Sequence, residues 1–182
     1  MRKTVAFAFS MLALSMVVSI PLFAATEGDL IGTWNTYNVS KMKISRIGSR
    51  TANNDTTTTL TDAAFTMHEI DSTGTYNYTG NWVLIKDGKK IQFSLDAPGQ
   101  SVLVSMWENW LVEVAKEYGA SIVDISFSVT SLTISQPGIP KRTNIPKKAT
   151  IKAKGLVSAT VDGEPMTRKF SYSSKVSFLN RQ

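Results

Sequence analysis

Alternation of apolar and polar residues is the dominant pattern beyond residue 24. This period of two is typical of antiparallel strands that have one face in a core and the other in water. It runs through residues 76–84, 91–95, 123–134, 151–161 and 170–178. Asp87-Gly88 predicts a hairpin turn between the first two stretches, and a phase shift near Thr130-Ser131 predicts a bulge in the third. We therefore expect a mainly β fold, either an antiparallel up-and-down barrel or a strongly curved sheet.

One segment follows a helical period instead. Between residues 101 and 118 the apolar positions are three or four apart, which predicts one inserted amphipathic helix. Ser101 is a candidate N-cap, and Gly119 lies where a helix commonly ends. The helix either completes the core against the sheet or acts as a lid or interfacial helix that carries Trp107 and Trp110. Its acidic polar face argues against binding to anionic membranes.

Residues 49–62 are almost all small and polar. Such a segment offers little apolar surface to bury, so we expect a mobile loop, at least through Asp55. The four threonines at 56–59 are also compatible with the start of a strand.

The first 24 residues have the features of a secretory signal peptide. Arg2 and Lys3 precede an apolar stretch, and Pro21 precedes the small residues Ala24-Ala25. We therefore predict a signal peptide at 1–24, a single domain at 25–182, and a periplasmic or secreted location. An uncleaved anchor is the alternative, because the apolar stretch of about 19 residues approaches the length that spans a bilayer.

Composition removes many kinds of chemistry from the 182-residue chain. It contains no Cys, which excludes disulfides, thiolate metal sites and cysteine nucleophiles, and its one histidine, His68, excludes sites with several histidine ligands. His68 adjoins Glu69, but neighbouring strand residues point to opposite faces and cannot form a catalytic pair directly. We predict a non-enzymatic protein without metal or cofactor. An isomerase or cyclase that uses the barrel as a reaction vessel is a lesser alternative.

Positive charge is concentrated toward the C-terminus. Residues 137–182 hold ten Lys and Arg against two acidic residues, whereas residues 25–136 hold eight against twelve. The densest run comprises Lys141, Arg142, Lys147, Lys148, Lys152 and Lys154. Residues 137–154 contain no aromatic side chain, so nucleic acid is not an expected partner. The run is either a solvated loop and strand face or a docking surface for an anionic partner.

An ordered series of short motifs carries a family resemblance. It comprises Gly32-Thr33-Trp34, Asp71-Ser72-Thr73-Gly74-Thr75-Tyr76, Gly80-Asn81-Trp82-Val83-Leu84 and Asp87-Gly88-Lys89-Lys90-Ile91-Gln92-Phe93. In this order the motifs resemble the lipocalin-like domains of bacteria, of the calycin group, over roughly residues 30–135. The resemblance implies that Gly32 lets the first strand approach closely and that Trp34 closes one end of a barrel. It also implies that a basic residue of the last strand, Arg168 or Arg181, stacks on Trp34.

Aromatic residues at alternating strand positions are the candidate ligand-lining side chains. They are Tyr76, Tyr78, Trp82, Phe93, Phe127, Phe170 and Tyr172. Inward residues of a small barrel either fill it or line a cavity. The leading hypothesis is therefore an exported carrier of a small hydrophobic or amphipathic ligand. The alternative is an envelope or surface protein whose basic C-terminal third docks on an anionic polymer, a membrane or a protein partner.

Overall fold

The computed structural model describes residues 24–182, so the predicted signal peptide lies outside the described residues except for Ala24. Eight strands and two helices form within this range. The strands are β1 (Gly32–Ile44), β2 (Gly48–Leu60), β3 (Ala64–Asp71), β4 (Gly74–Ile85), β5 (Lys90–Leu95), β6 (Ile122–Ser135), β7 (Ala149–Val161) and β8 (Glu164–Arg181). The helices are α1 (Glu27–Leu30) and α2 (Ala97–Glu117).

The strands form one antiparallel sheet that curls into a nearly closed barrel. Its order is β5-β4-β3-β2-β1-β8-β7-β6, so the first and last strands are neighbours in its middle. The two outer edges meet where Lys90 pairs with Gly138 and where the backbone N–H of Ile139 donates to the carbonyl of Lys89 at 2.9 Å. The predicted mainly β fold class is confirmed.

Local predictions from the alternation pattern are also confirmed. β4 and β5 form the hairpin around Asp87-Gly88. The register of β6 against β7 shifts between Val129 and Ser131, where the bulge was expected. These features were visible in the sequence because one strand face is apolar and the other is polar.

The prediction of a mobile loop from residue 49 through Asp55 is wrong, because the whole segment belongs to β2. The inward side chains of this strand include Asn54, Thr56 and Thr58, which form hydrogen bonds inside the barrel. A strand whose buried face is polar lacks the apolar alternation that identifies the others.

Helix α2 connects β5 to β6 and begins four residues before the predicted start. Asp96, not Ser101, is its N-cap: Asp96 Oδ1 accepts a hydrogen bond from the backbone N–H of Gly99 at 2.7 Å. Pro98 suits the first turn because proline has no N–H to leave unsatisfied there. No helix in residues 24–182 is both long and apolar enough to cross a membrane.

Two buried tryptophans, Trp34 and Trp107, lie toward opposite ends of the barrel core. Trp34 lies near the start of β1, where its indole N–H donates to the carbonyl of Leu30 in α1 at 2.9 Å. Trp107 of α2 packs against Phe170, which lies opposite Ile44 at the other end of β1. Helices therefore contribute to both ends of one continuous core.

Candidate functional site

The predicted ligand-lining aromatics all lie in strands of the barrel, and six of the seven are buried while Phe127 is half-buried. Phe127, Phe170 and Tyr172 surround Trp107, with ring centroids 5.1–5.4 Å from that of the indole. One end of the barrel interior is therefore occupied by the helix that covers it. Sequence reasoning could not place Trp107 there, since periodicity gives no partner for a helix face.

The other predicted aromatics also contact protein atoms. Phe93 packs between Phe65 and Phe178, with centroid distances of 5.1 and 6.4 Å. The indole N–H of Trp82 donates to the carbonyl of Thr61 at 2.6 Å. The hydroxyl of Tyr76 accepts a hydrogen bond from Asn109 of α2 at 3.0 Å.

An apolar cavity of about 40 Å³ lies among these side chains, next to Met67, Tyr78 and Phe93. That volume is comparable to the roughly 30 Å³ occupied by one molecule of liquid water.

Gly32 and Trp34 lie at the start of β1. Of the two candidate arginines, Arg181 lies opposite Trp34 in the register, whereas Arg168 lies opposite Val157 further along β8. Gly32 has φ +140°, and a Cβ at this position would lie 2.7 Å from Nε of Arg181. The absence of a side chain at Gly32 therefore makes room for the arginine.

A buried carboxyl group lies inside the barrel. Glu69 is only 1% exposed, and its Oε1 accepts hydrogen bonds from Nδ2 of Asn38 at 2.7 Å and from Nδ2 of Asn54 at 3.0 Å. Its second oxygen, Oε2, has no hydrogen-bond partner among the described residues. Burial raises the pKa of Glu69, since removing a carboxylate from water disfavours its charged form.

The polar cluster extends from Glu69 across β1 to β8. Asn38 Oδ1 accepts hydrogen bonds from the hydroxyls of Ser40 and Ser174, and the hydroxyls of Ser40 and Tyr172 are 3.1 Å apart. Burial holds the pKa of Tyr172 well above its ordinary value, so this phenol keeps its proton at neutral pH. The cluster can therefore offer neutral hydrogen-bonding groups to a polar part of a ligand.

His68 and Glu69 face opposite sides of β3, as strand geometry predicts. Nδ1 of His68 lies 2.7 Å from Oδ1 of Asn77 on the neighbouring strand, outside the barrel. Across residues 24–182, no three His, Asp or Glu side chains come close enough together to hold a metal ion.

The most strongly charged feature is on the outer face of β1, β8 and β7. Six exposed lysines surround two half-buried serines of β8, Ser171 and Ser173. We call these lysines the lysine ring: Lys41 and Lys43 on β1, Lys152 and Lys154 on β7, and Lys169 and Lys175 on β8.

The register fixes the arrangement of this ring. Ser173 lies between Lys41 and Lys152, and Ser171 lies between Lys43 and Lys154. The next strands outward add only hydroxyl residues beside these four lysines, whose outer partners are Thr51, Ser49, Thr133 and Ser131. No acidic residue is among these register partners, and both ion pairs formed within residues 24–182 lie elsewhere.

Two neighbouring hollows lie on the outer surface beside the serines of β8. One of about 230 Å³ lies over Ser171 and Ser173, between the lysines of β1 and β7. A second, of about 470 Å³, continues past Lys169. Gly155 and Leu156 of β7 also line this second hollow. Because serine side chains are shorter than those of lysine, Ser171 and Ser173 leave a recess between the two rows of ammonium groups.

The basic run predicted as a docking surface is divided between two places. Lys152 and Lys154 belong to the lysine ring, whereas Lys141, Arg142, Lys147 and Lys148 lie in the exposed loop between β6 and β7. Lys147 and Lys148 line a separate open hollow of about 1000 Å³ with Tyr37 and Leu179.

Sequence reasoning singled out only Lys152 and Lys154 of the ring; Lys169 and Lys175 of β8 fell outside the dense basic run, and so did Lys41 and Lys43 of β1. Lys41 and Lys43 each alternate with a buried residue of β1, Met42 or Ile44, so their outward direction was readable. Their proximity to Lys152 and Lys154 was not, because it depends on the pairing of the first strand with the last.

Comparison with known proteins adds no relative. No protein-family model matches the chain, and a search of curated proteins also finds no match. Evidence for a function therefore comes from the geometry of the described residues.

Proposed function

We propose that this chain is a non-enzymatic binding protein that docks on an anionic polymer through the lysine ring. The observation that carries the proposal is the set of six exposed lysines gathered from three adjacent strands with no acidic register partner. A protein without binding demands on this face would gain from acidic neighbours, because like charges a few ångströms apart repel one another. The concentration of positive charge favours and orients the approach of a polyanion.

The proposal includes an exported protein of lipocalin-like type, located in the periplasm or outside the cell. The apolar segment after Arg2 and Lys3 supports export. The barrel, Trp34 at the start of β1 and Arg181 beside Gly32 support the lipocalin-like assignment. An anionic envelope polysaccharide is a partner that an exported protein would meet.

The test is binding to heparin, used as a soluble anionic polymer, at low and high salt. The variant Lys41→Gln/Lys43→Gln/Lys152→Gln/Lys154→Gln removes four charges from the lysine ring. We expect it to weaken binding at least about tenfold at low salt, since each exposed ion pair contributes up to roughly 1 kcal/mol and 1.4 kcal/mol is a factor of ten. We also expect high salt to weaken binding of the wild-type protein, because salt screens exposed charges. Isothermal titration calorimetry measures the loss of affinity caused by salt and the loss caused by the substitutions.

The matched control replaces exposed lysines elsewhere on the barrel. Lys86→Gln/Lys89→Gln lies in the turn between β4 and β5, and Lys147→Gln/Lys148→Gln lies in the loop before β7. Each pair is compared with Lys152→Gln/Lys154→Gln, which changes the charge by the same amount. Equal effects of the three pairs, or binding that is insensitive to salt, would contradict a specific role for the ring.

A second candidate function is the holding of a small amphipathic ligand inside the barrel. The observation in its favour is Oε2 of Glu69, a buried oxygen beside the amides of Asn38 and Asn54 that no described residue hydrogen-bonds. Such a group can accept a hydrogen bond from a ligand's polar end, or donate one when protonated. Because the cavity holds only about 40 Å³, a larger ligand must displace side chains such as the flexible Met67.

Native mass spectrometry of the protein, purified from its own host without detergent, tests this second function. A reproducible mass excess that disappears in Glu69→Gln supports a ligand bound at the carboxyl group. A mass equal to that of the polypeptide, together with no saturable binding of an apolar fluorescent probe, contradicts it.

A further inference from the structure

The recess between the two rows of lysines is elongated along β8. Lys169, Ser171, Ser173 and Lys175 project from the same face of this strand, because they are two residues apart. Lys169 and Lys175 are six residues apart, which corresponds to about 20 Å in an extended strand. Across the strands, β1 and β7 are separated by β8 alone, which places their backbones about 10 Å apart.

We infer that this recess is a track in which a single chain of an anionic polysaccharide lies lengthwise along β8. The inference rests on the proposed function and adds the class of polymer, its direction and its site. Acidic groups of the polymer contact the lysines of β1 on one side and those of β7 on the other. Its sugar hydroxyls exchange hydrogen bonds with Ser171 and Ser173 on the floor.

The shape of the recess favours a narrow polymer over a membrane. The side chains of the two serines are shorter than those of the lysines on either side, and each serine is half-buried. A bilayer surface is broad and would contact the ends of the lysine side chains without reaching the floor. A polysaccharide chain can enter because the hollow over the serines holds about 230 Å³ and continues into the hollow of about 470 Å³.

The chemistry of the floor favours sugar over nucleic acid. Single-stranded nucleic acids are held largely by stacking of their bases on exposed aromatic side chains. The aromatic residues beside the recess, Phe170 and Tyr172, are buried and face the barrel interior. Besides the exposed side chain of Leu156 in the larger hollow, the recess presents ammonium groups and hydroxyls, which match the acidic groups and hydroxyls of a charged polysaccharide.

The experiment fills the floor without changing any charge. Ser173→Phe places a bulky side chain between Lys41 and Lys152, and Ser171→Gln is a milder change that occupies the space between Lys43 and Lys154. Thr57→Phe is the matched control, because Thr57 faces outward on β2 and pairs with Asn35 and His68, away from the recess. Heparin fragments of increasing defined length are titrated into each folded protein at low salt, with thermal melting as the check on folding.

We expect Ser173→Phe to weaken binding of long fragments at least tenfold, Ser171→Gln to weaken it less, and Thr57→Phe to leave it unchanged. Affinity of the wild-type protein should rise with fragment length and level off once a fragment spans about 20 Å, the distance from Lys169 to Lys175. Wild-type affinity in Ser173→Phe and Ser171→Gln would overturn the track while leaving the lysine ring intact as a binding face. Absence of any heparin binding would refute the proposed function itself.

Two further outcomes identify other ligands and would also overturn the track. One is equal binding of vesicles containing phosphatidylglycerol to the wild type and to Ser173→Phe, which indicates a membrane surface. The other is binding of inositol hexakisphosphate as tightly as the longest heparin fragment, which indicates a compact polyanion in place of an extended chain.

Discussion

At the scale of single residues, Glu69 is the side chain that least resembles a component of an ordinary barrel core. Two amides satisfy its Oε1, whereas its Oε2 is buried without a partner. Buried polar groups without partners cost stability, and they persist in proteins mainly where they have a use. The same residue that supports a binding site in the barrel should therefore reduce the stability of the empty protein.

The replacement Glu69→Gln tests this cost through its dependence on pH. Because burial raises the pKa of Glu69 in the folded state, the folded protein binds a proton that the unfolded chain has already released. Stability should therefore fall as the pH rises from the unfolded pKa through the folded pKa, and stay low above it. Gln keeps an acceptor for Asn38 and Asn54 and cannot ionise, so it should remove this fall.

We expect the melting temperature of Glu69→Gln to exceed that of the wild type by about 2–4 °C near pH 8, a difference equivalent to roughly 1 kcal/mol in a domain of this size. Near pH 4 the two proteins should melt at similar temperatures. Glu164→Gln, at the exposed first residue of β8, is the control. Parallel melting curves for Glu69→Gln and the wild type across this pH range would show that the carboxyl group is not responsible.

At the scale of elements, the sequence identifies strands only where their buried face is apolar. β4, β5 and β7 alternate clearly because residues such as Trp82, Phe93 and Val157 fill the core. β2 escapes detection through most of its length because its inward positions hold Asn54, Thr56 and Thr58. These groups are stable there since Glu69 of β3 and Thr36 of β1 provide their hydrogen-bond partners. Such compensation is supplied by other strands and cannot be read from the segment itself.

The start of α2 illustrates a different limit. The apolar spacing begins at Val102 and so favours Ser101 as the cap, yet the helix starts at Ala97. Asp96 accepts hydrogen bonds both from the N–H of Gly99 and from the hydroxyl of Thr79 on β4, at 2.7 and 2.8 Å. The first turn carries no apolar stripe, and the hydrogen bond from Thr79 attaches it to β4 instead.

For the lysine ring, the sequence of one strand predicts which side chains face outward, but only the pairing of strands determines which lysines are neighbours. Alternation predicts that Lys152 and Lys154 face outward on their own strand. Their neighbours depend on β8 pairing with both β7 and β1, which joins the two ends of the chain. Candidate sites formed by one segment were therefore accessible to sequence reasoning, whereas the site formed by three segments was not.

At the scale of the whole molecule, the chain separates its two candidate functions. The inside of the barrel is filled by aromatic residues, by Trp107 and by the polar cluster around Glu69, whereas the lysine ring is outside on the opposite faces of the same strands. Ser171 and Ser173 face the recess, while Tyr172 between them faces the core. A polymer on the outer face therefore needs no opening of the barrel, and the rigidity of a packed interior keeps the lysines in register.

A rigid, packed barrel interior requires that α2 unfolds together with the sheet, since Trp107 of α2 fills part of that interior. Trp107 is fully buried against Phe127, Phe170 and Tyr172, so its replacement by Ala should lower the free energy of unfolding by about 3–5 kcal/mol. Trp107→Phe should cost less, since it keeps an aromatic ring there and removes an indole N–H that has no hydrogen-bond partner within residues 24–182. In urea, far-UV circular dichroism and tryptophan fluorescence of each variant should follow one coincident transition, shifted to lower denaturant. An early transition of the helix alone, with the sheet unfolding at the wild-type midpoint, would mean that α2 is a separable cover and that the barrel does not depend on it.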